Sequence, residues 1–124
     1  MRTISKPWTR LGEAMLAASL ATFIFTAMQT PAAADTFTIH LKTQPNRYDP
    51  VTLNVKVGDT VIWVVDAGQH TVTPDANQPD PFPGSQTLSP GQSYSVVISG
   101  SPRTIKYHCQ IHGPSMSGEI VIAP

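Results

Sequence analysis

From Thr36 to Ile122 apolar residues recur at every second position, run after run, and this period constrains the fold more than any other feature. Thr36-Phe37-Thr38-Ile39-His40-Leu41 and Val51-Thr52-Leu53-Asn54-Val55-Lys56-Val57 each put apolar side chains on one face and polar ones on the other, as a half-buried strand does. Gly58-Asp59 reads as a turn, and Thr60 to Val65 is a nearly continuous apolar run centred on Trp63. His70–Thr73, Ser93–Ile98, Thr104–Cys109 and Gly118–Ile122 complete the predicted strands, all rich in β-branched and aromatic residues. This part of the sequence shows no amphipathic helix of useful length. Pro74 to Gly91, 18 residues with five prolines, is predicted to be loop and is longer than most connections. The expectation is one all-β domain, an antiparallel sandwich of about seven strands, without internal repeats.

The first 34 residues have a different character. Arg2, Lys6 and Arg10 make a basic start, marred only by Glu13. An apolar run from Met15 to Met28 follows, and then Thr30-Pro31-Ala32-Ala33-Ala34, which ends in an Ala-x-Ala site. Basic, apolar, small is the order of a secretory signal peptide, with cleavage expected after Ala34. The apolar run is shorter than the roughly 20 residues of a spanning helix. The mature chain is then Asp35–Pro124, exported and expected in a bacterial periplasm. It carries five basic and seven acidic side chains, a net charge of −2. No basic run stands in it, which argues against nucleic acid as a partner.

An exported domain with a single cysteine is unusual. Cys109 has no partner for an internal disulfide, and a thiol in an oxidising space is exposed to oxidation unless something occupies it. Its neighbours explain it. Tyr107-His108-Cys109-Gln110-Ile111-His112-Gly113-Pro114-Ser115-Met116 places a thiol, an imidazole and a thioether close together at a strand end, and His70 opens another strand upstream. Two His, one Cys and a weak axial Met are the ligand set of a blue-copper electron-transfer site. Thiolate and thioether are soft and suit Cu(I); imidazole suits both oxidation states. Side chains alternate along a strand, so His108 is expected to point away from Cys109, and Tyr107 to share its side and pack beside it. Trp63 and Phe37 read as core. His40 has no evident role.

Tyr-x-Cys-x-x-His-x-x-x-Met followed by Ser-Gly-Glu-Ile-Val-Ile resembles the C-terminal signature of plastocyanin-like and amicyanin-like cupredoxins. Val55-Lys56-Val57-Gly58-Asp59-Thr60-Val61-Ile62-Trp63 with His70-Thr71-Val72 resembles the segment that delivers the first His ligand in that family. The resemblance covers nearly all of the mature chain. It implies a Greek-key sandwich, one copper ion held by His70, Cys109, His112 and Met116, and single-electron exchange with redox protein partners. It also implies that His112 reaches the surface among Ile111, Gly113 and Pro114. Two positions depart from the family pattern. Three residues separate His112 from Met116, where two or four are common, and Thr71 stands where many members have Asn. A monomer is expected.

Three other readings use parts of the same sequence. Copper storage or delivery would employ the same soft ligands. An oxidase or nitrite reductase needs further His ligands for a second copper, and after His70 and His112 only His40 and His108 remain, in no shared motif. A binding module that has lost its metal would not be expected to keep all four ligands.

Overall fold

In the computed structural model residues 33–124 are described, together with positions 21, 22, 24 and 26. Most of the leader read from the sequence therefore lies outside the described residues. The chain divides into two units, Met1–Pro31 and Ala32–Pro124, and every strand described belongs to the second.

There are eight strands: β1 Thr36–Lys42, β2 Arg47–Asp49, β3 Thr52–Lys56, β4 Thr60–Val65, β5 Thr73–Pro74, β6 Ser93–Val97, β7 Arg103–Cys109 and β8 Gly113–Ala123. They form two four-stranded sheets, ordered β2-β1-β4-β6 and β3-β8-β7-β5. The all-β sandwich is as expected, but the sheets are mixed rather than wholly antiparallel. β1 runs parallel to β4, and β3 parallel to β8. A parallel pair needs a long connection. The chain supplies it by leaving the first sheet after β2, building β3 in the second, and returning as β4. The extra strand is β2, three residues between Pro45 and Pro50, too short to show a period.

The alternation seen in the sequence becomes the sandwich interior. Ile39 and Leu41 of β1 face Trp63 and Val65 of β4 in register, and all four are essentially inaccessible. On the other sheet Ile105 pairs with Ile120 and Tyr107 with Gly118. Trp63, the largest buried side chain, lies 5.3 Å from Phe82, 5.6 Å from Tyr94 and 5.6 Å from Tyr107, centroid to centroid. Phe82 comes from the proline-rich loop, so that loop is held down by a buried aromatic ring.

Gly118 is fixed by close approach. A Cβ there would sit 2.6 Å from Cζ and from the hydroxyl of Tyr107. The ring cannot withdraw, since it is packed edge-on against Tyr48 at 4.6 Å and Trp63 at 5.6 Å. Gly118→Ala is expected to destabilise the fold by about 1–3 kcal/mol, the usual range for overpacking, measured by urea unfolding. A change within ±0.5 kcal/mol would mean the ring has room to move.

Candidate metal centre

β7 and β8 build the floor of the site through their register. Tyr107 pairs with Gly118 and His108 with Ser117, but the next pair is Cys109 with Gly113. One step on β7 therefore spans four on β8, and Pro114, Ser115 and Met116 form a bulge. Counting by twos from the Tyr107–Gly118 pair, Cys109 and Met116 both lie on the core face at the end of the ladder. Burial agrees: Cys109 is 0% and Met116 1% exposed. Gly113, at φ 69°, gives the left-handed turn that brings His112 back over the strand end.

His70 arrives from the segment before β5. It does not belong to a regular strand, as the sequence predicted for His70–Thr73. Instead it makes one isolated bridge with Leu88, its N–H and C=O both paired to that residue. Its side chain is fully buried, and Nε2 lies 2.8 Å from the carbonyl oxygen of Ala67. A carbonyl only accepts, so Nε2 carries the proton and Nδ1 keeps its lone pair. Gly68, at φ 77°, makes the bend that allows this contact. Burial also holds the His70 imidazole below its ordinary pKa, with His112 nearby acting in the same direction. The ring is thus neutral and available as a ligand.

Three donor atoms converge. Cys109 Sγ lies 3.5 Å from His112 Nδ1 and 4.0 Å from His70 Nδ1. All three atoms fall within 4.8 Å of one another, and the two imidazole rings are 4.9 Å apart. Among the described residues no other group of three or more His, Cys, Asp or Glu side chains is as close. Two imidazole nitrogens and one sulfur, with a buried thioether on the same face as that sulfur, are a donor set that fits one copper ion and no hard cation. His112 is part-exposed and Ile111 is 48% exposed, so the site has one edge toward solvent.

The backbone around Cys109 is held by Thr71. Its N–H donates to Cys109 Sγ at 3.4 Å, and its Oγ1 accepts the N–H of Gln110 at 2.9 Å. Oγ1 is also 2.9 Å from Thr73 Oγ1, and the Thr71 carbonyl accepts the Tyr48 hydroxyl at 2.6 Å. The sequence marked position 71 only as a departure from Asn; the hydroxyl does the work of holding the Cys loop in a shorter side chain. Tyr48 and Thr73 had no signal in the sequence, because their link to the site runs through a main-chain carbonyl and one hydroxyl. Thr71→Val keeps the shape and strands the Gln110 N–H, so the metal-free protein should lose about 1–3 kcal/mol in urea unfolding while Thr71→Ser loses less. Equal losses would assign the effect to packing instead.

His108 points away from the sulfur, as alternation requires, and its Nδ1 lies 2.6 Å from Asp75 Oδ1. His40 is similarly paired with Asp66 at 2.8 Å, well apart from the cluster in the contacts it makes.

Comparison with known proteins decides the family. The Cupredoxin-like domain family matches residues 15–122. The chain belongs to that family. Relatives of this cupredoxin include a plastocyanin from Prochlorothrix hollandica, 35% identical over 74% of this chain and 76% of the relative. Another is a plastocyanin from Scenedesmus fuscus, 31% identical over 60% of this chain and 85% of the relative. Among solved structures, an oxidised amicyanin variant aligns with TM-score 0.61 and 27% identity over 70% of this chain and 81% of its own. A copper-containing nitrite reductase from Thermus scotoductus aligns with TM-score 0.63 and 27% identity over 72% of this chain, but this cupredoxin spans only 22% of that chain.

Proposed function

We propose that this cupredoxin is a small exported electron carrier with a type 1 copper site formed by His70, Cys109, His112 and Met116. The observation that carries the reading is the convergence of Nδ1, Nδ1 and Sγ within 4.8 Å at the end of a rigid sandwich. When bound, copper supplies one-electron chemistry by alternating between Cu(II) and Cu(I). The protein's part is to hold the donors still. His70 is pinned by Ala67 and Leu88, Cys109 by Thr71 and the β7–β8 ladder, and Met116 by the core. Thiolate is the ligand form of cysteine, so uptake releases the Cys109 proton. His112, at the open edge beside Ile111 and Pro114, is where electrons pass to and from a redox protein partner. Relatives named plastocyanin support the carrier reading over an enzyme, since the remaining histidines, His40 and His108, are each committed to a carboxylate. The basic, apolar, small-residue order of residues 1–34 supports export to a bacterial periplasm with cleavage after Ala34.

The test is a visible spectrum of the chain from Asp35 with one equivalent of Cu(II). The expected result is an intense thiolate-to-copper band that ascorbate bleaches and ferricyanide restores. Copper uptake without that band would move the protein to storage or delivery. A second arm uses His112→Gly: it should slow electron exchange with an external redox protein, and an unchanged rate would remove His112 as the port.

A further inference from the structure

Asp59 is a buried carboxylate, 5% exposed, in the turn between β3 and β4, away from the copper ligands in sequence and in its contacts. Both of its oxygens are used by main-chain donors. Oδ1 accepts the N–H of Asp35 at 2.9 Å, and Oδ2 accepts the N–H of Lys56 at 2.8 Å. The Asp35 carbonyl in turn accepts the N–H of Thr60 at 2.9 Å, so Asp35 is clamped on both sides just before β1 begins. Ala33 and Ala34 are exposed and outside any strand, which leaves the Ala34–Asp35 bond open to a peptidase. That bond is also the one that the Ala-x-Ala pattern marks.

We propose that Asp59 is a receiving site for the protein's own new N-terminus: cutting after Ala34 turns the Asp35 amide into an ammonium ion paired with this carboxylate, and so locks β1 to the sandwich. The cut consumes one water and leaves a carboxylate on Ala34 and the ammonium on Asp35; a leader peptidase of the export machinery performs it. The inference rests on the reading of the leader and is independent of copper. Before the cut the contact is a neutral N–H bonded to a carboxylate. After it, the donor is charged and the bond is charge-assisted, which is the stronger kind. A first strand otherwise tends to fray. The charged neighbours are few. Lys56, at the end of β3, is a weak cationic influence on Asp59, and the Asp35 side chain is exposed. Asp35, Lys56 and Asp59 line a shallow hollow with Phe37, Asn54, Val55 and Ala123, and these last four carry no side-chain charge.

The chain from Asp35 contains all eight strands and the whole described core, so it can be tested as the mature protein. Two versions are compared, one with a free amine and one N-acetylated. The acetyl group stands in for the Ala34 carbonyl and keeps one N–H for Asp59, so the acetylated chain retains the neutral contact of the uncut chain and lacks the charge. By NMR the Asp35 amine should titrate about one pH unit above the ordinary value of ~8, a tenfold gain in proton affinity, and return to it in Asp59→Asn. The amine's midpoint is raised in the folded state. Its stabilisation is therefore full below the unfolded value and lost as pH rises through the folded one. The free chain should melt above the acetylated chain at pH 6, and the gap should close in alkali. Equal melting at pH 6 would overturn the pairing, and this comparison stands even if Asp59→Asn does not fold. Separately, the mass of the processed protein from an exporting host should begin at Asp35. A start elsewhere would overturn the processing step whatever the amine does.

Discussion

Cys109→Ser is expected to abolish the intense visible band completely and to leave no reversible bleaching by ascorbate. The sulfur is the atom on which the donor groups converge: it lies 3.5 Å from His112 Nδ1, 4.0 Å from His70 Nδ1 and 3.4 Å from the Thr71 nitrogen. A serine oxygen has nearly the same shape, but it is a hard donor and is not ionised near neutral pH, so it offers no thiolate. The fold should survive. The Thr71 N–H is already aimed at this atom and can donate to the new hydroxyl, so the usual cost of ~1–3 kcal/mol for an unsatisfied buried polar group is largely avoided. Circular dichroism and urea unfolding of the metal-free variant check that point. The decisive measurement is the copper titration followed in the visible. A variant that still gave the band would show that another group supplies it, and the site would have to be redrawn.

Much of this was legible in the sequence because strands and ligands each leave a local trace. Period-two alternation marks which side chains face inward, and it located β1, β3, β4, β6, β7 and the core half of β8. It is silent on direction, since a parallel and an antiparallel neighbour bury the same face. The mixed sheets therefore appear only in the pairing of β1 with β4 and of β3 with β8. The Cys–His–Met spacing marked the metal loop. What it does not convey is the bulge at Pro114–Met116, which leaves Met116 buried on the same face as Cys109 in spite of the three-residue gap after His112. Asp59 read as a turn residue, yet its carboxylate joins Asp35 to Lys56 across the chain. Such contacts end on backbone N–H groups, and backbone atoms have no residue type to recognise.

The second large effect is expected at Trp63, where the two sheets meet. Its ring is wholly buried against Phe82, Tyr94 and Tyr107. Trp63→Ala removes the largest side chain of the core and should cost about 3–5 kcal/mol, a large share of the 5–15 kcal/mol typical of a whole domain. In a domain of this size each kcal/mol lowers the Tm by roughly 4–8 °C. Trp63 is also the lone tryptophan after Ala34, so unfolding of the variant must be followed by circular dichroism rather than by indole fluorescence. Trp63→Phe should cost clearly less than Trp63→Ala. It keeps most of the volume and removes the indole N–H, which is buried without a partner, as is the Tyr107 hydroxyl. Burial pushes that hydroxyl far above the usual tyrosine range; the Trp63 indole opposes the shift, yet the two groups do not meet in hydrogen-bond geometry. Tyr107 carries the damage to the metal loop, because it packs on Trp63 and sits two residues before Cys109 on the same face of β7. Copper binds the folded state, so loading should recover part of the lost stability by mass action. If Trp63→Phe proved as damaging as Trp63→Ala, the indole N–H would have a partner that matters more than the ring's volume.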